Sequence, residues 1–295
     1  MLKFISRQDY EFINSKYEAH KELDLNFSQN EIGIQGISDL LDGIANCYKL
    51  QKIKLEISKN NIGNTGSQFL DLAIGNCLNL ESLEVNLNQC FIGQGASHIG
   101  SCMKNYKSLT KFTLFLCVNF IDASAATGLG FSLGQCQNLK NLKIDLSKNI
   151  IQEGAIGLGT GLGNCSELQN LSIIQYNNNI SANGASGFFE GLQYCTKIEN
   201  LNIGINSNKI EQDGVQNLGS YLLRMSNLKN LNIDLRFNQI QNEGLYLIAS
   251  DLRNILRLRC INLYLFRNQL NLNKKQFLLN KFQKISSLVI LQIYF

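Results

Sequence analysis

The stretch LKNLNIDLRFNQIQNEGL, residues 228–245, begins with a strictly alternating pattern. Leu231, Ile233 and Leu235 are apolar, and the residues between them are polar. Alternation with a period of two predicts a β-strand that buries one of its faces. Asn238 follows three residues after the last apolar position, where the alternation stops.

From Gly244 onward the apolar residues follow a longer, helical period. They fall at Leu245, Ile248, Leu252 and Ile255, with intervals of three, four and three residues. This spacing places them on one face of an α-helix. One strand, a turn around an asparagine and one amphipathic helix therefore make up the predicted unit.

The same unit recurs along nearly the whole chain of 295 residues. LKNLKIDLSKNIIQEGA (139–155) and LQKIKLEISKNNIGNTGS (50–67) fit the same frame. Self-similarity at a fixed period indicates a solenoid, in which each unit packs only against its neighbours. The first apolar strand position recurs every 29 or 30 residues, at Leu23, Ile53, Leu83, Phe112, Leu142, Leu171, Leu201, Leu231, Ile261 and Leu291.

The asparagine after each strand forms a second repeated column. A buried turn leaves backbone donors and acceptors unpaired, and a short amide side chain can pair with both kinds. Stacked at one height, these residues are expected to form an inward-facing ladder, in which Cys90 is the one substitution. The predicted ladder consists of Asn30, Asn60, Asn119, Asn149, Asn178, Asn208, Asn238 and Asn268.

This pattern resembles the leucine-rich repeat. The family pattern L-x-x-L-x-x-N-x-L/I-x-x-x-G is met at Ile233, Leu235, Asn238, Ile240 and Gly244, with the first leucine position replaced. The full helix in each unit is similar to the helices of the ribonuclease-inhibitor-like subfamily. The amino-acid sequences of these helices resemble those in protist expansions of that family.

The resemblance implies an α/β fold, a right-handed leucine-rich-repeat solenoid or horseshoe of about ten repeats of 29–30 residues. Its parallel β-sheet is expected to be concave and its α-helices convex. Residues 23–295 would form a single solenoid domain with a truncated last repeat. Residues 1–22 are predicted to be an N-terminal cap segment.

The glycine-rich segment GAIGLGTGLGNC, residues 154–165, has the composition of a phosphate-binding loop. Its sister copies GSQFLDLAIGNC (66–77) and GASGFFEGLQYC (184–195) occupy the same frame without that composition. We therefore interpret the segment as a helix in which each glycine weakens the helix by about 1 kcal/mol relative to alanine.

The sequence offers little for catalysis. Its two histidines, His20 and His98, are far apart in any solenoid, so no acid–base pair can form around them. No metal-binding or nucleotide-binding motif occurs, and we expect no catalytic residue, metal, cofactor or small-molecule substrate. The last apolar position of the helix is a cysteine in five repeats and Tyr, Met or Ile in others, so we expect these cysteines to be small, buried apolar residues. This cysteine column consists of Cys47, Cys77, Cys136, Cys165 and Cys195.

Charge and hydropathy argue against a membrane-spanning or secreted protein. No run of eighteen apolar residues occurs, and Arg7, Asp9 and Glu11 interrupt any signal-peptide core, so neither a membrane span nor secretion is expected. We therefore expect reduced thiols and a cytoplasmic location, and we leave open a location in the nucleus or the cilium. Residues 224–295 carry 11 basic and 3 acidic groups, against 16 and 20 in residues 1–223.

The basic segment 271–284 allows two interpretations. It could be a basic amphipathic helix for a membrane surface, but its apolar residues Phe277 and Phe282 fall where the ninth repeat needs its helix. The repeat helix is the favoured interpretation. Nucleic-acid binding is not expected, because lysines spread over a convex helix make no aromatic-lined groove.

Strand residues between the buried positions should face the hollow of the solenoid, and two apolar clusters occur there. Phe115 and Tyr176 belong to the first. The second contains Arg236, Phe237, Tyr264, Phe266 and Arg267. Exposed aromatic residues beside arginine are typical of interface hot spots. Stray surface hydrophobes, or a terminal cap over the second cluster, are the alternative interpretation.

The first functional hypothesis is a non-catalytic scaffold that binds a protein partner, of unknown identity, through the concave face. The second is a GTPase-activating protein of the Ran-directed type, which the resemblance makes conceivable because the partner GTPase supplies most of the catalytic groups. The third is a structural component of a large assembly such as a cilium. It rests on the last strand, Leu291–Phe295, whose uncapped edge invites pairing unless the chain is a fragment.

Overall fold

The computed structural model describes residues 20–101, 106–271, 273, 275–285 and 287–295. Within these residues, ten strands form one parallel sheet in which strand order follows chain order. Each strand is five residues long. The strands are β1 (Glu22–Asn26), β2 (Lys52–Glu56), β3 (Ser82–Asn86), β4 (Lys111–Phe115), β5 (Asn141–Asp145), β6 (Asn170–Ile174), β7 (Asn200–Gly204), β8 (Asn230–Asp234), β9 (Cys260–Tyr264) and β10 (Ile290–Tyr294).

The register of the sheet follows the sequence repeat. Leu231 lies opposite Leu201 on one side and Ile261 on the other, so equivalent residues of successive repeats form continuous rows. In β8 the buried and the more exposed residues alternate as the sequence predicts. The apolar rows and the helices enclose one core along the length of the stack.

Helices connect successive strands and pack on one side of the sheet. In most repeats they bury the predicted apolar face; Leu245, Ile248 and Leu252 are examples. The helices are α1 (Gly33–Ala45), α2 (Gly63–Gly75), α3 (Ala123–Leu133), α4 (Gly154–Gly163), α5 (Ala182–Leu192), α6 (Leu218–Leu223), α7 (Asn242–Leu252) and α8 (Lys275–Gln283).

Among the described residues, two repeats depart from the predicted full helix. The third has a short 3₁₀-helix, Gly93–Ser97, and the seventh has a 3₁₀ turn, Gln212–Gly214, before the six-residue α6. The helical regions of both repeats contain glycine together with serine and one β-branched residue, all of which have a lower helix propensity than alanine. Residues 1–19 of the predicted N-terminal cap lie outside the described part of the chain.

The helix in the basic segment occupies the position of the ninth repeat's helix. In α8, Leu278 and Phe282 are buried against the core, whereas Phe277 is 52% exposed. The segment therefore packs as part of the solenoid, with one of its two phenylalanines on the surface.

The asparagine column forms a hydrogen-bonded ladder inside the turns. Asn60 is 1% exposed, and its Oδ1 accepts hydrogen bonds from the backbone N–H groups of Asn30 and Ile32, both at 3.1 Å. Its Nδ2 donates to the carbonyls of Phe27 at 2.8 Å and Ile57 at 2.7 Å. One side chain thus joins its own turn to the turn of the preceding repeat.

Cys90 replaces the amide in the third repeat with a thiol. Its Sγ donates to the Ile57 carbonyl at 3.2 Å, which is the bond that an asparagine Nδ2 would make to the preceding repeat. The Cys90 backbone N–H itself donates to Asn119 Oδ1 at 2.8 Å, so the ladder resumes in the next repeat. The thiol supplies the donor function of the column but not the amide oxygen.

The glycine-rich helices α3, α4 and α5 pack with their backbones in direct contact. A Cβ atom at Gly161 would overlap the backbone of Gly130 in α3, and one at Gly159 would overlap the backbone of Phe188 in α5. The glycines therefore allow a close approach that alanine would prevent. This contact offsets the low helix propensity that the sequence indicates.

Gln175 is a polar residue in an otherwise apolar core row. It follows β6 at the position that Leu146 and Ile205 occupy in the neighbouring repeats, and it is fully buried. Its side-chain Oε1 and Nε2 have no hydrogen-bond partner among the described residues. A buried amide without partners destabilises the folded state.

We expect Gln175→Leu to raise the free energy of unfolding by about 2 kcal/mol, because it removes the unpaired amide and restores the apolar row. Chemical denaturation measures the change. Gln239→Leu, at an exposed position, is the control and should change stability by less than about 0.5 kcal/mol. A Gln175→Leu protein no more stable than the original would show that the amide is paired in solution.

Candidate functional site

The carboxyl ends of parallel strands lie along one edge of a sheet, and here that edge carries most of the candidate residues. We call it the rim, and define it in each of the nine repeats from β1 to β9 as three positions. The reference point is the ladder position, which is the asparagine of the ladder, or Cys90 in the third repeat. The rim consists of the two residues before the ladder position and the one residue after it. In the eighth repeat they are Arg236, Phe237 and Gln239. The residue directly before the ladder position has a positive φ in all nine of these repeats.

Tyr264 lies between an arginine and a second tyrosine. Its ring stacks on Tyr294 of β10, with centroids 4.7 Å apart and planes 4° apart. The guanidinium carbon of Arg236 lies 5.6 Å from the ring centroid, on the side of β8. Because β8 and β10 flank β9 on opposite sides, both faces of the Tyr264 ring are covered.

An ion pair fixes the arginine over the tyrosine. Arg236 Nε donates to Asp234 Oδ1 at 2.9 Å, and Nη2 donates to Oδ2 at 2.6 Å. This bidentate contact raises the pKa of Arg236 and holds the planar guanidinium in one orientation. Its charge is largely matched by the carboxylate.

Phe237 and Phe266 form an edge-to-face pair on the rim. Their centroids are 5.9 Å apart and their planes meet at 85°. Arg267 lies over Phe266, with its guanidinium carbon 5.1 Å from the ring centroid. The two rings are 49% and 46% exposed, so the pair presents apolar surface to solvent beside a cation.

The structure places Phe115 and Tyr176 in different surroundings. Phe115 ends β4 on the sheet face, with Lys143 Nζ 5.2 Å from its ring centroid. Tyr176 belongs to the rim, and Lys148 Nζ lies 5.7 Å from its ring. Each aromatic residue thus has its own lysine partner, two strands apart.

A second exposed aromatic pair on the rim was not predicted from the sequence. Phe91 and Phe120 stack in adjacent repeats, with centroids 5.9 Å and planes 21° apart, and they are 57% and 59% exposed. Ile150 continues the row in the next repeat. Both phenylalanines have a positive φ, which is rare for a bulky residue. The signal in the sequence is an apolar residue in a column that is polar in the other repeats.

The concave side of the sheet carries a row of neutral hydrogen-bonding groups. Strands β3 to β9 line a groove of about 530 Å³ on the side away from the helices. A row of side-chain amides crosses it, each Nδ2 donating to the Oδ1 of the preceding strand at 2.5–2.7 Å. The row consists of Asn141, Asn170, Asn200 and Asn230.

The cysteine column donates hydrogen bonds, which the interpretation as simple hydrophobes did not include. Cys165 Sγ donates to the Leu133 carbonyl at 3.3 Å, and Cys195 Sγ to the Leu162 carbonyl at 3.2 Å. Each bond reaches the end of the preceding helix, where carbonyls lack helical partners. Burial raises the pKa of both thiols to about 12, so they are protonated and poor nucleophiles.

Within the described residues, no three side chains of the His, Cys, Asp and Glu types converge as metal ligands would. In the same part of the chain, none of the helices is both long enough and apolar enough to cross a bilayer. The concave side and the rim carry stacked rings, cations and amides.

Comparison with known proteins finds similar structures rather than similar sequences. No family model and no curated protein matches the sequence. Among solved structures, internalin C2 from Listeria monocytogenes is similar at a TM-score of 0.40 and 19% identity, over 87% of this chain and 83% of that chain. The ten parallel strands, the connecting helices and the asparagine ladder are the features that define the architecture.

The fold is that of a leucine-rich-repeat protein. This α/β solenoid of about ten repeats confirms the fold class expected from the repeat. The ribonuclease-inhibitor-like subfamily stays a prediction.

Proposed function

We propose that this leucine-rich-repeat chain is a non-catalytic scaffold that binds a protein partner through its concave side and rim. The observation that carries the proposal is the aromatic–arginine cluster at the ends of β8 and β9. It consists of Arg236, Phe237, Tyr264, Phe266 and Arg267, joined by the ring and cation–π contacts described above.

Two properties of the cluster favour binding over accidental exposure. Its side chains already contact one another, so a partner would lose less conformational entropy in ordering them. Aromatic residues and arginine also contribute most to binding energy in protein interfaces. Stacking of Tyr264 on Tyr294 extends the ordered surface to the last strand.

We expect Tyr264→Ala with Phe266→Ala to weaken binding of a protein captured from lysate at least tenfold, because interface hot spots cost about 2 kcal/mol or more on truncation. Quantitative mass spectrometry of the captured proteins and the melting temperature of each variant are the measurements. The melting temperature should change little, since both rings are partly exposed.

The matched control removes two other exposed rings. Phe131→Ala with Tyr194→Ala truncates aromatic residues that are 68% and 64% exposed on the helical side. This control should keep the partner. The assignment of the cluster as the binding site would be contradicted if the cluster variant captured as much partner as the original protein. It would also be contradicted if both variants lost the partner equally.

The two other hypotheses give different outcomes. A GTPase-activating protein would accelerate phosphate release from a GTP-loaded small GTPase, and a scaffold would not. A component of a cilium or similar assembly would fractionate with that assembly, whereas the proposed scaffold would be found mainly in the cytoplasmic fraction.

A further inference from the structure

The rim carries more positive than negative charge. Its 27 positions, all within the described residues, hold five cations and a single acid, Glu31 in the first repeat. Arg236 is paired with Asp234. Lys148, Lys209 and Arg267 are exposed and have no carboxylate within ion-pair distance among the described residues.

Apolar surface is found at two places on the same rim. Phe91, Phe120 and Ile150 form one patch in the third to fifth repeats, and Phe237 and Phe266 form the other in the eighth and ninth. The exposed cations lie beside these patches and between them. A complementary ligand therefore needs apolar groups near its ends and negative charge along its length.

Two classes of polyanion could satisfy the charge, and the rings distinguish between them. Single-stranded nucleic acid binds by stacking bases on free aromatic faces. Here both faces of Tyr264 are covered, Arg267 lies over Phe266, and Phe91 and Phe120 stack on each other. Most of these rings therefore already have a face in contact with a neighbouring side chain, and the exposed cations beside apolar surface suit carboxylates and apolar side chains of a peptide.

The spacing of the patches sets the length of the ligand. Six strand intervals separate the third repeat from the ninth, and adjacent strands lie about 4.8 Å apart, which gives about 29 Å. An extended chain rises about 3.3 Å per residue, so about nine residues cover the distance.

We propose that the rim binds an acidic, extended peptide segment of a protein partner, anchored by apolar side chains at both patches. Carboxylates of the segment would pair with Lys148, Lys209 and Arg267. This inference deepens the proposed function and rests on it, since the cluster at β8 and β9 forms one of the two anchors.

The test uses a fluorescent synthetic peptide of about ten residues in which Glu and Phe alternate, with fluorescence anisotropy as the readout. We expect it to bind the full chain, more tightly at low than at high ionic strength, because exposed charge pairs are screened by salt. A Gln–Phe peptide of equal length should bind about tenfold more weakly or worse.

The charge variant is Lys148→Gln, Lys209→Gln and Arg267→Gln, which should weaken binding of the Glu–Phe peptide about tenfold. Its control also removes three exposed cations, away from the rim. Lys49→Gln, Lys140→Gln and Arg224→Gln should weaken binding by about twofold or less, through net charge alone.

The apolar variant is Phe91→Asn with Phe120→Asn. Asparagine adopts a positive φ more readily than phenylalanine, so this protein should keep its melting temperature. Its affinity for the Glu–Phe peptide should nevertheless fall about tenfold, while the dependence on salt is retained.

Four results would overturn the inference: no binding of the Glu–Phe peptide, equal losses in the rim and control charge variants, tighter binding of oligothymidine, and tighter binding of phosphatidylserine vesicles. If any of these occurs while capture of a protein still depends on Tyr264 and Phe266, the scaffold function stands and only the acidic-segment inference fails.

Discussion

Replacing Asn60 by alanine should lower the free energy of unfolding by about 4 kcal/mol. The side chain makes five hydrogen bonds to backbone groups in a buried turn, two of them to N–H groups of the preceding repeat. Alanine leaves these groups without partners, and each unpaired buried group costs about 1–3 kcal/mol. Denaturant unfolding followed by circular dichroism measures the loss.

The adjacent residue provides a matched control. Asn61 is exposed, and Asn61→Ala should change stability by less than about 0.5 kcal/mol. Asn149 makes the equivalent bonds in the middle of the stack, and its alanine variant should lose a similar amount. Similar stabilities for the Asn60 and Asn61 variants would show that the ladder does not join the repeats energetically.

Replacing Gly161 by alanine should lower the free energy of unfolding by about 3 kcal/mol or more. The new Cβ would overlap the carbonyl group of Gly130, and a backbone atom cannot move aside as a flexible side chain can. Helices α3 and α4 would have to separate, and overpacking of this kind costs about 1–3 kcal/mol or more. The expected result is opposite to that of helix propensity alone, which favours alanine by about 1 kcal/mol.

Gly187→Ala separates these two effects. Gly187 lies in α5, and a Cβ there meets only side-chain atoms of Ile156, the nearest of them Cγ1 at 2.7 Å. Rotation of that side chain can relieve the contact, so the variant should be neutral or slightly stabilised. If Gly161→Ala were equally well tolerated, the close packing of α3 and α4 would not contribute to stability.

The strands and the asparagine column could be predicted from the sequence because their signals are local and repeated. The alternation at Leu231, Ile233 and Leu235 defines the buried face of one strand, and nine further copies fix the register. The repeat spacing also predicted that Arg236 and Tyr264 lie next to each other in adjacent repeats, where the structure brings them into contact.

Other features depend on contacts that no local pattern indicates. Phe91 and Phe120 lie in turns, and nothing in the identity of a phenylalanine predicts a positive φ. Gln175 breaks an apolar row that the strand pattern suggested was continuous. The donor role of the thiols and the backbone contact at Gly161 become visible only when successive helices are placed side by side.

The glycine contacts between α3, α4 and α5 also affect the shape of the hollow. A solenoid bows because helices usually need about 8–10 Å between axes, whereas strands need about 4.8 Å. Where helix backbones touch, the helix spacing is closer to the strand spacing. The curvature of the solenoid should therefore be smaller over the fourth to sixth repeats. A long, slender ligand can rest along such a stretch, whereas a rounded one would touch only the two ends of the bow.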